Sequence, residues 1–144
     1  MEYFDNELDD LKHKLLTMAS HAETAVNRAV EALVTRNLDL ALQVKADDNI
    51  IDQLEVDVDD IAIQLLSKAP LARDLRFVTV AMKISQNLER VGDEATKIAK
   101  RARDLSSEPP LKLNLELPRM AGMGLGMLKP ALDAFVARAR TGAT

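Results

Sequence analysis

The sequence predicts an all-α fold: an antiparallel three-helix bundle followed by a fourth helix. Three observations carry that expectation. Apolar residues recur in alternating steps of four and three through three stretches of about thirty residues. Short breaks at Asn37 and Pro70 separate those stretches. Aromatic residues make up only 3% of the chain, so the core must be aliphatic, as in many helical bundles.

The first helix is expected over 5–35. Its stripe is Leu8, Leu11, Leu15, Met18, Ala22, Ala25, Ala29 and Ala32, with Phe4 ahead of it. Large residues give way to alanine, so a partner helix should come closer toward the far end. The second helix is expected over 39–68, with Leu40, Val44, Asp47, Ile51, Leu54, Val58, Ile61 and Leu65 inward. Asp47 breaks that apolar stripe. A buried, unpaired carboxylate is costly, so Asp47 must lie where the bundle opens or must have a partner.

The third helix is expected over 71–105. Its inner positions are Leu75, Val78, Met82, Ser85, Leu88, Gly92, Ala95, Ala99 and Ala102. Glycine in a helix interior costs ~1 kcal/mol relative to alanine, which suggests close backbone approach at Gly92. Ser106-Ser107-Glu108-Pro109-Pro110 opens a linker over 106–118. A fourth helix, over 119–140, contains Gly122, Gly124, Gly126 and Pro130, the last a kink or a new start. Its apolar face (Leu125, Leu128, Leu132, Phe135, Val136) has no obvious place in a closed three-helix bundle. The boundaries that follow are 1–105 for the bundle, 106–118 for the linker and 119–144 for the last segment.

Composition excludes several function classes. With 144 residues, 47% hydrophobic and 29% charged, the chain is globular rather than disordered. A net charge of -4 does not favour general nucleic-acid binding. The absence of cysteine removes disulfides, thiolate metal sites and cysteine nucleophiles, and fits a cytoplasmic location. No signal-peptide pattern opens the chain, and no run of about 18 apolar residues forms a membrane span. His13 and His21 lie eight apart and lack the Glu-x-x-His pattern of di-iron bundles, so both read as surface residues. No phosphate-binding loop and no nucleophile–base arrangement is recognisable, which makes an enzyme the least expected class.

Two carboxylate pairs stand four residues apart, on one helix face each: Asp48 with Asp52, and Glu89 with Asp93. Neighbouring antiparallel helices could bring the pairs together. Four oxygen donors without cysteine suit iron, manganese, magnesium or zinc. Such pairs are also common on solvated faces, and pairing with Arg73, Arg76 or Arg90 would account for the same residues without metal. Asp57, Asp59 and Asp60 read as a solvated face. Lys97, Lys100, Arg101 and Arg103 read first as cations gathered at a helix C-terminus, and second as a patch facing a kinase or a membrane.

Asn87-Leu88-Glu89-Arg90-Val91-Gly92-Asp93-Glu94-Ala95, with Ile98-Ala99 after it, resembles the signature of the PhoU family. Ala72-Arg73-Asp74-Leu75-Arg76, Asp48-Asn49-Ile50-Ile51-Asp52-Gln53-Leu54-Glu55 and Phe4-Asp5-Asn6-Glu7-Leu8 resemble three more of its segments, in the family's order. The resemblance covers about the first 105 residues. It implies a protein of two three-helix repeats, the first complete here and the second represented only by its first helix.

It also implies a metal cluster, of iron or another divalent cation such as zinc, manganese or magnesium, on Asp48, Asp52, Glu89 and Asp93. The role it implies is negative regulation of the phosphate-starvation response. Its implied partners are the phosphate ABC transporter ATPase and the sensor histidine kinase of the phosphate regulon, with a homodimer. A cation-storing or cation-sensing bundle and a plain oligomerisation module are the other two readings.

Overall fold

The structure is a computed structural model and describes residues 2–68, 72–105, 130, 132–135 and 137, with side chains from residue 6 onward except 72 and 73. Three helices fold up, down and up: α1 (Glu2–Thr35), α2 (Leu38–Leu66) and α3 (Ala72–Asp104). Each packs on both others. Among the described residues there is no strand.

The α1–α2 corner is set by two adjacent residues. Arg36 adopts a left-handed φ of 57°, and the Asn37 amide donates back to the Ala32 carbonyl at 3.0 Å. That six-to-one bond closes α1 as a Schellman motif. Asn37 then caps α2, its side chain accepting from the Leu40 amide at 3.2 Å. Asn37→Ala should lower stability by about 1 kcal/mol, read from the urea midpoint.

The core tapers along the bundle. At the wide end Leu11 and Leu15 meet Val58, Leu65, Phe77 and Val78. At the α1–α2 corner the contacts are Ala29, Ala32, Ala41, Ala95, Ala99 and Ala102 with Val44. The decline from leucine to alanine along α1 is thus matched by alanines of α2 and α3 at the far end. Asp47 sits at the α1–α2 seam, where Arg28 of α1 pairs with it at 3.3 Å.

One inward assignment needs correction: Leu75 is 46% exposed, whereas Phe77 and Ala81 are buried. On α2, Leu40 and Ile61 are half-buried and pack against the core, beside the buried Ala41 and Ala62. Each of these helices touches two neighbours, so its buried stripe is wider than a two-position seam and is rotated from it.

The linker over 106–118 and the start of the last segment lie outside the described residues. Residues 130 and 132–135 are helical. Leu132 is 4% exposed and belongs to the mid-bundle cluster with Met18, Ala19, Ala22 and Leu88. Phe135 stacks on Phe77 with ring centroids 5.0 Å apart, and the Lys12 ammonium lies 5.5 Å from the Phe77 ring. So Leu132 and Phe135, assigned no place in the closed bundle, are covered by α1 and α3 of the same chain. Leu125, Leu128 and Val136 lie outside the described side chains.

Candidate metal centre

The acidic residues meet halfway along the bundle, between its leucine-rich and alanine-rich ends. Residues four and three apart on α2 present Asp48, Asp52, Glu55 and Asp59 along one edge. The facing edge of antiparallel α3 presents Glu89 and Asp93. One carboxylate oxygen from each of Asp48, Asp52 and Asp93 lies within 4.8 Å of the other two.

Gly92 lets the two edges come this close. A Cβ there would stand 3.0 Å from Ile51 Cδ1 and 3.8 Å from Asp48 Oδ1. The glycine thus exchanges ~1 kcal/mol of helix propensity for contact between α2 and α3. Gly92→Val should overpack this contact and cost about 2 kcal/mol, measured by chemical denaturation.

The cluster's electrostatics are unfavourable for a set of bare carboxylates. Glu89 is pushed up from 4.5 to about 7, first by burial, then by a hydrogen bond and charge repulsion with Asp93, and by Glu55 and Asp52. The hydrogen bond is one that a protonated Glu89 donates to Asp93. Asp48 is raised by burial and by Asp52 and Asp93, while Thr96 beside it acts in the other direction. The Thr96 hydroxyl donates to the Gly92 carbonyl at 3.1 Å, which fixes its position next to the cluster. Glu55 is raised by burial, then by Asp59, Asp52 and Asp93. One oxygen of Asp59 is buried without a hydrogen-bond partner.

The site residues expected from sequence are thus brought to one place: Asp48, Asp52 and Asp93 as a tight trio, with Glu89 tied to Asp93. Among the described residues none of the four forms an ion pair with Arg76 or Arg90, and the Arg73 side chain lies outside the described residues. Glu55 and Asp59 belong to the same edge and were not among the expected ligands. Their signal was present, since the four-three-four spacing from Asp48 continues through both. Asp57 and Asp59 are both half-buried and only Asp60 is exposed, which corrects the reading of the three as one solvated face. Asp57 pairs with Lys14 of α1 at 3.8 Å.

His13 is exposed, as expected, whereas His21 is half-buried. His21 lines a small cavity of about 20 Å³ with Arg28, Asp47, Asp48 and Thr96. That is room for about one water molecule.

The donor set fits a hard cation. Oxygens bound to one hard divalent cation, at about 2.0–2.6 Å from it, stand roughly 3 to 5 Å from each other. The trio's oxygens all lie within 4.8 Å of one another, inside that upper bound. Exposure of Asp52 and Asp93 leaves space for water to complete the coordination.

The described residues form an antiparallel three-helix bundle whose α2 and α3 acids meet beside a helical glycine. The chain belongs to the PhoU family: residues 15–102 match the PhoU domain. It is 40% identical over 136 residues to the phosphate-specific transport system accessory protein PhoU homolog of Zymomonas mobilis, covering 94% of this chain and 57% of that protein. Identity to the Aquifex aeolicus homolog is 37%, covering 90% of this chain and 59% of the relative. Identity to the phosphate-specific transport system accessory protein PhoU of Escherichia coli is 32%, covering 92% and 55%. The crystal structure of PhoU from Pseudomonas aeruginosa superposes with a TM-score of 0.86 at 37% identity, over 93% of this chain and 65% of that one. The chain therefore spans a little over half the length of the curated relatives it matches.

Proposed function

We propose that this chain serves as an accessory regulator of phosphate transport, coupling the phosphate ABC transporter to the sensor kinase of the phosphate regulon and lowering the starvation response when phosphate is plentiful. The observation that carries this reading is its similarity, over more than nine-tenths of its length, to proteins named phosphate-specific transport system accessory proteins. The fold suits such an adaptor. Leu42, Val56 and Ile63 stand exposed at multiples of seven residues along α2, a helix face of the sort partner helices dock on. No described helix is long and apolar enough to cross a membrane. Self-association as a dimer belongs to the same proposal, and light scattering that reads a strict monomer at high concentration would refute it.

The test is deletion and complementation. Loss of the protein should raise alkaline phosphatase in phosphate-replete cells, and the transporter ATPase and the kinase should co-purify with it. Unchanged phosphatase with neither partner recovered would overturn the adaptor reading.

A second reading, a bundle that binds and senses a cation, draws support from the carboxylate edge of α2 and α3. It is compatible with the first, because an ion joining those helices would set the shape that partners meet. Asp48, Asp52 and Asp93 would hold the ion, with Glu89 behind Asp93. The ion would neutralise the edge, and the protein's part is to hold the three oxygens in register.

A further inference from the structure

The outward face of α3 carries a line of cations that the acidic edge does not use. Arg76, Lys83, Arg90 and Lys97 are spaced seven residues apart, and all four are exposed. The buried positions of α3 are Phe77, Val78, Ala81, Ser85, Leu88, Gly92, Ala95, Ala99 and Ala102. On a 3.6-residue helix the four cations lie opposite that buried stripe, on the most outward line of the bundle. From Arg76 to Lys97 the line runs about 32 Å, and Arg101 extends it by another turn.

Among the described residues Arg76, Lys83 and Arg90 have no ion pair, and Lys97 pairs only with Glu94 of its own helix. A helix-end effect does not account for the pattern. Arg76, Lys83 and Arg90 lie well before the last turn, beyond which the helix dipole fades.

We infer that this face of α3 docks on an anionic lipid bilayer surface. Charge is segregated in the required way: α2 carries eight carboxylates and one lysine, whereas α3 has eight cations against five acids. The described part of the last helix packs beside Phe77, on the flank of α3 rather than over the cation line. The composition of the line also decides between partners. The core of a protein interface is more apolar than the surrounding surface and depleted in lysine, although arginine is enriched there. The only large apolar residue exposed on α3 among the described residues is Leu75, near its start. A bilayer of acidic headgroups presents a diffuse negative potential and requires cations alone. The association is reversible and weakens with salt, because the charges are solvent-exposed. It stands on α3 alone and does not depend on a metal ion.

The experiment is co-sedimentation of the chain with phosphatidylcholine vesicles, with and without phosphatidylglycerol, across a salt series. Binding is expected only to the phosphatidylglycerol vesicles and is lost as salt rises. Lys83→Gln and Arg90→Gln should each weaken it about fivefold, the equivalent of ~1 kcal/mol per cation near an anionic surface, and together about thirtyfold. Lys45→Gln, an exposed change on α2, should leave it unaltered. Circular dichroism confirms that each variant remains helical. Equal binding to both vesicle types, no binding to either, or equal losses for Lys45→Gln and the α3 variants overturns the proposal. So does retention by an acidic polypeptide with no binding to anionic vesicles.

Discussion

Manganese(II) at a hundredfold excess over its dissociation constant should stabilise the chain by about 2.7 kcal/mol. For a domain of this size that is a rise in melting temperature of roughly ten degrees. The physical source is relief of repulsion. Three carboxylate oxygens lie within 4.8 Å of one another, and burial together with neighbouring acids raises Asp48 and Glu89. Folding assembles these groups, and a cation binding the folded arrangement lowers the free energy of that state alone. Asp93→Asn should abolish most of the metal-dependent rise. The apo variant should be no less stable than the apo parent, because it also removes a repelling charge. A metal-dependent rise that survives in Asp48→Asn and Asp93→Asn alike would place any bound ion elsewhere.

Without metal, stability should fall as the pH rises from about 5 to 7. Glu89 has an ordinary value of 4.5 and a folded value of about 7. A carboxyl with a raised folded pKa holds its proton more tightly in the folded state. Folding therefore takes up protons between the two values, and stability drops across that window. Below 4.5 both states are protonated and above about 7 neither is, so Glu89 adds no slope there. The steepest loss this group can contribute is about 1.4 kcal/mol per pH unit. Glu89→Gln keeps a donor for Asp93 and removes the titration, so the difference between parent and variant isolates the effect. Chelated protein unfolded in urea at several pH values provides the measurement. Parallel curves for parent and variant would show that Glu89 titrates normally.

Much of this arrangement was legible in the sequence. Helical spacing located α1, α2 and α3 to within a few residues, and Gly92 pointed to close approach at what proved to be the contact with Ile51 and Asp48. Asp47 announced its need for a partner, although only the fold could supply Arg28. The choice between Leu75 and Phe77 was not legible. Both are apolar and two residues apart, and it is packing against Leu11, Leu15, Val58 and Leu65, with Phe135 stacked on the ring, that buries Phe77.

For the metal centre, spacing placed each carboxylate pair on one face but left open how α2 slides along α3. That offset brings Asp52 beside Asp93 and gives Asp48 the neighbourhood of Thr96. It also brings Glu55 into the field of Glu89, which pairs chosen within single helices could not reveal. Lys12 is 7% exposed, with Asp9 at 3.9 Å and the Phe77 ring beneath it. A periodicity count treats a lysine as surface, whereas its long apolar stem lets it lie inside a seam.

The most direct measurement is anomalous X-ray scattering from crystals of the chain grown with manganese(II). The account predicts a peak between α2 and α3, within coordination distance of carboxylate oxygens from Asp48, Asp52 and Asp93. A map with manganese only at other carboxylates, or with no peak at saturating metal, would contradict it.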